Sequence, residues 1–224
     1  MDMYLKKIIT LAILFPLYSS AEIHWVKNEN IKSEKVQQAK IIYTGEVNAR
    51  QVSELISAID EINNDYPGLK SIKLYITSFG GSMESGYLAM QAIKGSTIPV
   101  EAINAGMTGS SATLMYCGAQ KRYALPLASF MLHPAATPNI KSEWIRPNDL
   151  ELMKKDVDDG NNYFRNVYKN CTSLSNKDIN EILFSNDGAR YLLANDAESI
   201  KLSQGIVSGI MPTPVSYYIT GDNK

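Results

Sequence analysis

Two periods alternate along most of the chain. Ile41, Ile42 and Tyr43, in a run ending at Gly45, read as a short strand over 40–45. Val52, Leu55, Ile56, Ile59 and Ile62 then recur at three- and four-residue intervals, a helix closed by Pro67-Gly68. Ile72, Leu74 and Ile76 alternate as a second strand. Gly80-Gly81 follows, then a helix carrying Tyr87, Leu88, Met90 and Ile93. Residues 99–105 read as a third strand, 110–117 as a helix and 130–132 as a further strand. Strands and helices alternating at this interval predict crossover units, hence an α/β fold with a mostly parallel sheet covered by helices.

Beyond His133 the texture changes. Pro134, Pro138 and Pro147 bracket a loop, and Asn148 is expected to cap a long polar helix reaching about Tyr168. Its apolar positions (Leu150, Met153, Val157, Phe164, Val167) are sparse, which predicts a protruding or partner-contacting element. Helices over 175–184 and 194–203 follow, then a last strand over 206–210. Pro212, Pro214 and the loss of periodicity predict an unstructured tail over 212–224. No internal repeat or low-complexity tract appears, so one domain is expected.

The first 21 residues stand apart. Lys6 and Lys7 precede an almost wholly apolar run over 8–18, and Ser19-Ser20-Ala21 supplies the small residues a signal peptidase reads. A signal peptide over 1–21 predicts a periplasmic or secreted protein, with 22–39 as an N-terminal segment. The alternative is an uncleaved membrane anchor, although the run is shorter than the about 20 residues that span a bilayer. Over 224 residues, 22 basic side chains face 23 acidic ones, for a net charge of −1 and a pI near 6.1. That balance excludes an electrostatic nucleic-acid binder. Two cysteines and two histidines without C-x-x-C or H-E-x-x-H spacing give no metal site, and no cofactor is expected.

Three places carry candidate chemistry. Ser78-Phe79-Gly80-Gly81-Ser82 joins a strand to a helix, where glycines let backbone N–H groups approach a ligand; the bland alternative is a plain turn. Gly106-Met107-Thr108-Gly109-Ser110-Ser111 opens the next helix. Ser110 there is either a cap or a nucleophile whose own turn supplies oxyanion-binding N–H groups. Ala112 stands where the α/β-hydrolase elbow would have its second glycine. His133 ends a strand, a position more often structural than catalytic. Crossover topology gathers all three at the carboxyl edge of one sheet, which raises the catalytic reading. His24 has no such context.

The stretch from Lys40 to about Ile210 resembles the Clp-type serine peptidases of the ClpP/crotonase superfamily. Leu74 to Gly81 resembles that family's strand and diglycine, Gly106 to Ser110 its nucleophile turn, and Lys121 to Pro126 with Phe130 to Pro134 the segment delivering its histidine. The intervals also suit it, with 29 residues from Gly81 to Ser110 and 23 from Ser110 to His133. The resemblance implies a spiral of ββα units over 40–211 with a protruding handle helix at about 134–171. It assigns Ser110 as nucleophile, His133 as base, Gly81 and Ser111 as oxyanion-hole donors, and Gly80 and Ser82 as substrate-binding positions. It also implies peptide or unfolded-protein substrates and a homo-oligomer of rings. If the chain is exported, an ATP-driven unfolding partner is not expected.

The chain departs from that pattern in places. The family's orienting aspartate precedes an Arg-aromatic-Leu motif, here Arg190-Tyr191-Leu192. Counting back gives Ala189, counting forward gives about Asn186, and the carboxylate between them is Asp187, followed by Gly188, whose backbone freedom would let it turn inward. Phe79 replaces a proline, Ser208 an aspartate, and the handle loop is longer around 138–147. The leading expectation is a serine endopeptidase acting through an acyl-enzyme. The alternatives are a catalytically impaired, ring-forming or peptide-binding relative in the cell envelope and, less favoured, a crotonase-like acyl-CoA enzyme. In an oxidising compartment Cys117 and Cys171 would be able to pair; Cys117 reads equally well as a buried helix residue.

Overall fold

Apolar spacing builds the first layer as expected. In the computed structural model, which describes residues 24–138 and 143–221, Val52, Leu55, Ile59 and Ile62 form the buried stripe of helix α1, Ala49–Asp65. Asn48 caps it, its side-chain oxygen accepting from Gln51 N at 2.9 Å. Fully burying each such aliphatic side chain contributes about 1.5–3 kcal/mol. The stripe faces a sheet whose inner strands are β2 (Gln38–Thr44), β3 (Ser71–Ser78) and β4 (Val100–Gly109), all parallel. Helix α2 (Met83–Gly95) links β3 to β4, and α3 (Ser111–Cys117) follows β4 directly.

Strand β4 forks. Its first part, through Asn104, pairs with β5 (Lys121–Ala124), and Met107, Thr108 and Gly109 pair with β6 (Ser129–Leu132). Buried Asn104 bridges the fork. Its Nδ2 donates to Ser129 O at 2.7 Å, and its Oδ1 accepts from Gly106 N at 3.2 Å, replacing ladder bonds that the split removes. Strand β7 (Arg190–Leu193) closes this end of the sheet, antiparallel to β6.

The long polar helix is α4, Pro147–Cys171, and its two halves differ. None of its residues before Gly160 is buried. Gly160, Asn161, Phe164, Val167, Tyr168 and Cys171 are buried, so the second half is core rather than handle. Arg146, not Asn148, occupies the cap position, because Pro147 takes the first helical turn. Cys171 is disulfide-bonded to Cys117, with Cα atoms 5.8 Å apart. Helices α5 (Asn176–Ile182) and α6 (Ala194–Ser199) complete the layer and are shorter than their spacing predicted.

Two expectations at the C-terminal end are corrected. The tail is not unstructured: Val215–Thr220 is strand β8, parallel to β2 and antiparallel to β1 (His24–Lys27), between which it lies. Val215, Tyr217 and Ile219 alternate into the core. Pro212 and Pro214 precede the strand, where a missing N–H breaks no ladder bond. Conversely, 206–210 is no strand; Ile206 makes one bridge, to Ala124. The predicted signal peptide lies outside the described residues.

Candidate active site

Parallel neighbours β3 and β4 end side by side, which sets Gly80-Gly81 against Ser110. A Cβ on Gly80 would lie 2.5 Å from Ser110 Cβ and 2.9 Å from Gly109 O, and the φ there is +105°. A Cβ on Gly81 would meet Val47 O at 2.4 Å. Only glycine fits either position. Ser110 itself has φ 52° and ψ −133°, a conformation that costs a side-chain-bearing residue on the order of 1–3 kcal/mol. Its surroundings hold it there. Ser110 N donates to Met131 O at 3.1 Å, and Ser110 O accepts from Thr113 N at 2.9 Å and Thr113 Oγ1 at 2.6 Å. Ser110 is half-buried, whereas the Ser111 side chain is wholly buried and its hydroxyl has no partner among the described residues. Of the two serines, Ser110 is the reachable one.

The backbone donors divide cleanly. Gly80 N donates to Ser78 Oγ at 3.1 Å, and Gly80 O accepts from Val47 N at 2.9 Å. Ser82 N donates to Val47 O at 2.8 Å, while Ser82 Oγ caps α2 by accepting from Ser85 N at 3.2 Å. Gly80 and Ser82 are therefore engaged in shaping the turn. The amides of Gly81 and Ser111 donate to no described residue. These are the two groups that the family resemblance assigns as oxyanion donors.

His133 follows β6 and is half-buried, its ring 6.4 Å from that of Phe164. Among the described residues it makes no hydrogen bond, neither to Ser110 nor to a carboxylate. The β6–β7 ladder ends where Leu132 pairs with Arg190, so His133 follows and Ala189 precedes its last pair. Asp187 is exposed in a 3₁₀ turn, Asn186–Gly188, and no hydrogen bond or ion pair joins it to His133. Nor is Gly188 there to turn the carboxylate inward: its Cβ would lie 2.0 Å from Glu181 O, so it lets the turn press against α5. Arg190 bonds instead to Asp178, its Nη2 donating to Oδ1 at 2.9 Å. Bonds from Ser175 and Arg190 bring the Asp178 carboxyl down to about 2. His24 sits on β1, at the opposite edge of the sheet.

One stripe of α4 reaches both candidate catalytic elements. Phe164 faces His133 and stacks on Tyr168 with centroids 5.3 Å apart. The Tyr168 hydroxyl lies 2.9 Å from Thr113 Oγ1, and Cys171 bonds to Cys117. Sequence reasoning passed over Thr113 and Tyr168. The available signal was the spacing of residues 164, 168 and 171, which marks one helix face.

A crossover sheet carrying a left-handed serine turn and two unengaged amides at its carboxyl edge has the ClpP fold. A point mutant of ClpP1 from Listeria monocytogenes overlays it with a TM-score of 0.63 at 19% identity, over 76% of this chain and 91% of that one. The chain belongs to the Clp protease family, whose sequence profile, described as Clp protease, matches residues 24–213. It is 26% identical over 192 residues to ATP-dependent Clp protease proteolytic subunit 1 of Chlamydia pneumoniae, covering 84% of this chain and 96% of that protein. To proteolytic subunit 2 of Pseudomonas aeruginosa it is 33% identical over 99 residues, 42% of this chain and 47% of that one. Strand β8 lies beyond the span matched to the family.

Proposed function

We propose that the protein is a serine endopeptidase that cleaves peptides through an acyl-enzyme on Ser110. The observation that carries this reading is the strained, reachable Ser110 beside two unengaged amides. His133 takes the hydroxyl proton as Ser110 Oγ attacks the scissile carbonyl, then returns it to the leaving amine. The Gly81 and Ser111 N–H groups bind the oxygen whose negative charge develops in the tetrahedral intermediate. Water attacks the acyl-enzyme by the same steps. Asp187 is the carboxylate that sequence counting offers to His133; because it is exposed and no bond joins it to His133, the proposed site is a Ser110–His133 dyad of reduced turnover.

Family membership and the relatives' description as proteolytic subunits support assembly into a homo-oligomer, for which the exposed half of α4 is the proposed contact. The leader-like 1–21 and the Cys117–Cys171 bond support export to an oxidising compartment. There an ATP-driven unfoldase would have no fuel, so substrates are small or already unfolded peptides. The second reading, an impaired relative that binds peptides without cleaving them, draws on the same exposed Asp187. Turnover of unstructured fluorogenic peptides by wild type, Ser110→Ala and His133→Ala separates the two. Activity lost by at least about 10³-fold in both variants supports the peptidase; a wild type no faster than Ser110→Ala leaves the binding reading.

A further inference from the structure

A hydrogen-bond chain ends on the nucleophile's own carbonyl. Ser110 O accepts from both Thr113 N and Thr113 Oγ1, at 2.9 and 2.6 Å. A carbonyl only accepts, so the single hydroxyl hydrogen of Thr113 is committed to it. The 2.9 Å contact between Thr113 Oγ1 and the Tyr168 hydroxyl is then donated by Tyr168. Tyr168 is completely buried on α4, 55 residues away in sequence, and burial holds its hydroxyl protonated. Each bond in such a chain polarises the next.

The carbonyl so held shares a rigid, trans peptide plane with the N–H of Ser111. In that plane the C=O and N–H point in opposite directions. Fixing one aims the other. We propose that Thr113 and Tyr168 are positioning residues that lock the Ser110–Ser111 peptide plane and so direct the Ser111 N–H at the oxyanion. The inference rests on reading Ser110 as nucleophile and Ser111 N as donor. It also accounts for the persistence of φ 52° at a serine, since releasing the carbonyl removes what opposes relaxation of the turn. Phe164, stacked on Tyr168 and facing His133, ties the same face of α4 to the base.

The test uses the full chain with Thr113→Val, which keeps shape and removes the hydroxyl, Thr113→Ser, which keeps the hydroxyl, and Tyr168→Phe. The first readout is the second-order rate of labelling by a fluorophosphonate. Thr113→Val should label about 10- to 10²-fold more slowly, because a misdirected donor forfeits much of what an oxyanion-hole hydrogen bond contributes. Thr113→Ser should stay within about threefold of wild type, and Tyr168→Phe should fall about threefold to tenfold. Thr113→Val labelling at the wild-type rate overturns the proposal. The second readout needs no activity. With ¹³C-carbonyl and ¹⁵N labels on serine, directly bonded pairs arise only at Ser19-Ser20 and Ser110-Ser111. The Ser110 carbonyl resonance should move upfield in Tyr168→Phe and further in Thr113→Val; an unmoved resonance overturns the proposal. A wild type that resists the probe defeats the peptidase reading alone, and the carbonyl resonance still decides whether Thr113 holds the plane. Where Thr113→Val does not fold, Tyr168→Phe carries both readouts.

Discussion

Removing the Cys117–Cys171 bond tests how α3, which begins beside the nucleophile, is held to α4. The bond closes a loop with a sequence separation of 54. In the chain-entropy treatment a loop of that length loses about 14 cal/mol/K from the unfolded ensemble, or about 4 kcal/mol at 25 °C. For a chain of this size each kcal/mol moves the melting temperature by about 2–4 °C. The Cys117→Ala, Cys171→Ala double variant should therefore melt about 8–16 °C below wild type when followed by circular dichroism under oxidising conditions. Reductant should lower the wild type by a similar amount and leave the variant unmoved. Iodoacetamide added to denatured, unreduced wild type should leave both cysteines unmodified. A variant melting within about 2 °C of wild type, or two alkylated cysteines without reduction, would show that no such bond holds α3 to α4.

Ala189→Asp should raise peptide turnover by about 10-fold or more, because it adds a carboxylate next to the end of the β6–β7 ladder that His133 follows, whereas Asp187→Asn should leave kcat within about twofold. A fall of about 10²-fold in Asp187→Asn would instead make Asp187 the orienting group. Asp178 gives the fold an acid-sensitive contact. Its folded pKa is about 2 against an ordinary 3.8, so the contribution is complete above about pH 4 and is lost as pH falls towards 2. Urea midpoints measured from pH 5 to 2 should drop over that window in wild type and less steeply in Asp178→Asn; coincident acid limbs would exclude this role.

The crossover architecture was legible because each inner element buries a continuous apolar face. Ile72, Leu74 and Ile76 on β3, or Val52 to Ile62 on α1, could satisfy their periodicity in only one way. Local turn chemistry likewise marked Gly80 and Gly81, since close backbone approach leaves few residue choices, and Ser110 stood out at the start of a helix after a glycine turn. Three of the four-residue strands, β1, β5 and β7, were invisible because they are too short to show a period; β6, of the same length, showed through its apolar run. Strand β8 does alternate, but two prolines just before it masked the signal. The buried half of α4 was misread because averaging with its polar half diluted Phe164, Tyr168 and Cys171. The surroundings of His133 lay furthest from reach. Which residues come near it depends on antiparallel register between strands some 60 residues apart, which no local spacing encodes.

Incubation of the folded protein with a fluorophosphonate, followed by peptide mapping, tests directly whether Ser110 is an activated nucleophile. One residue per chain should be phosphonylated, at Ser110, with labelling slowed strongly in His133→Ala and absent in Ser110→Ala. Labelling that persists in Ser110→Ala, or a folded wild type that stays unmodified while a reference serine peptidase reacts fully, would contradict this role for Ser110.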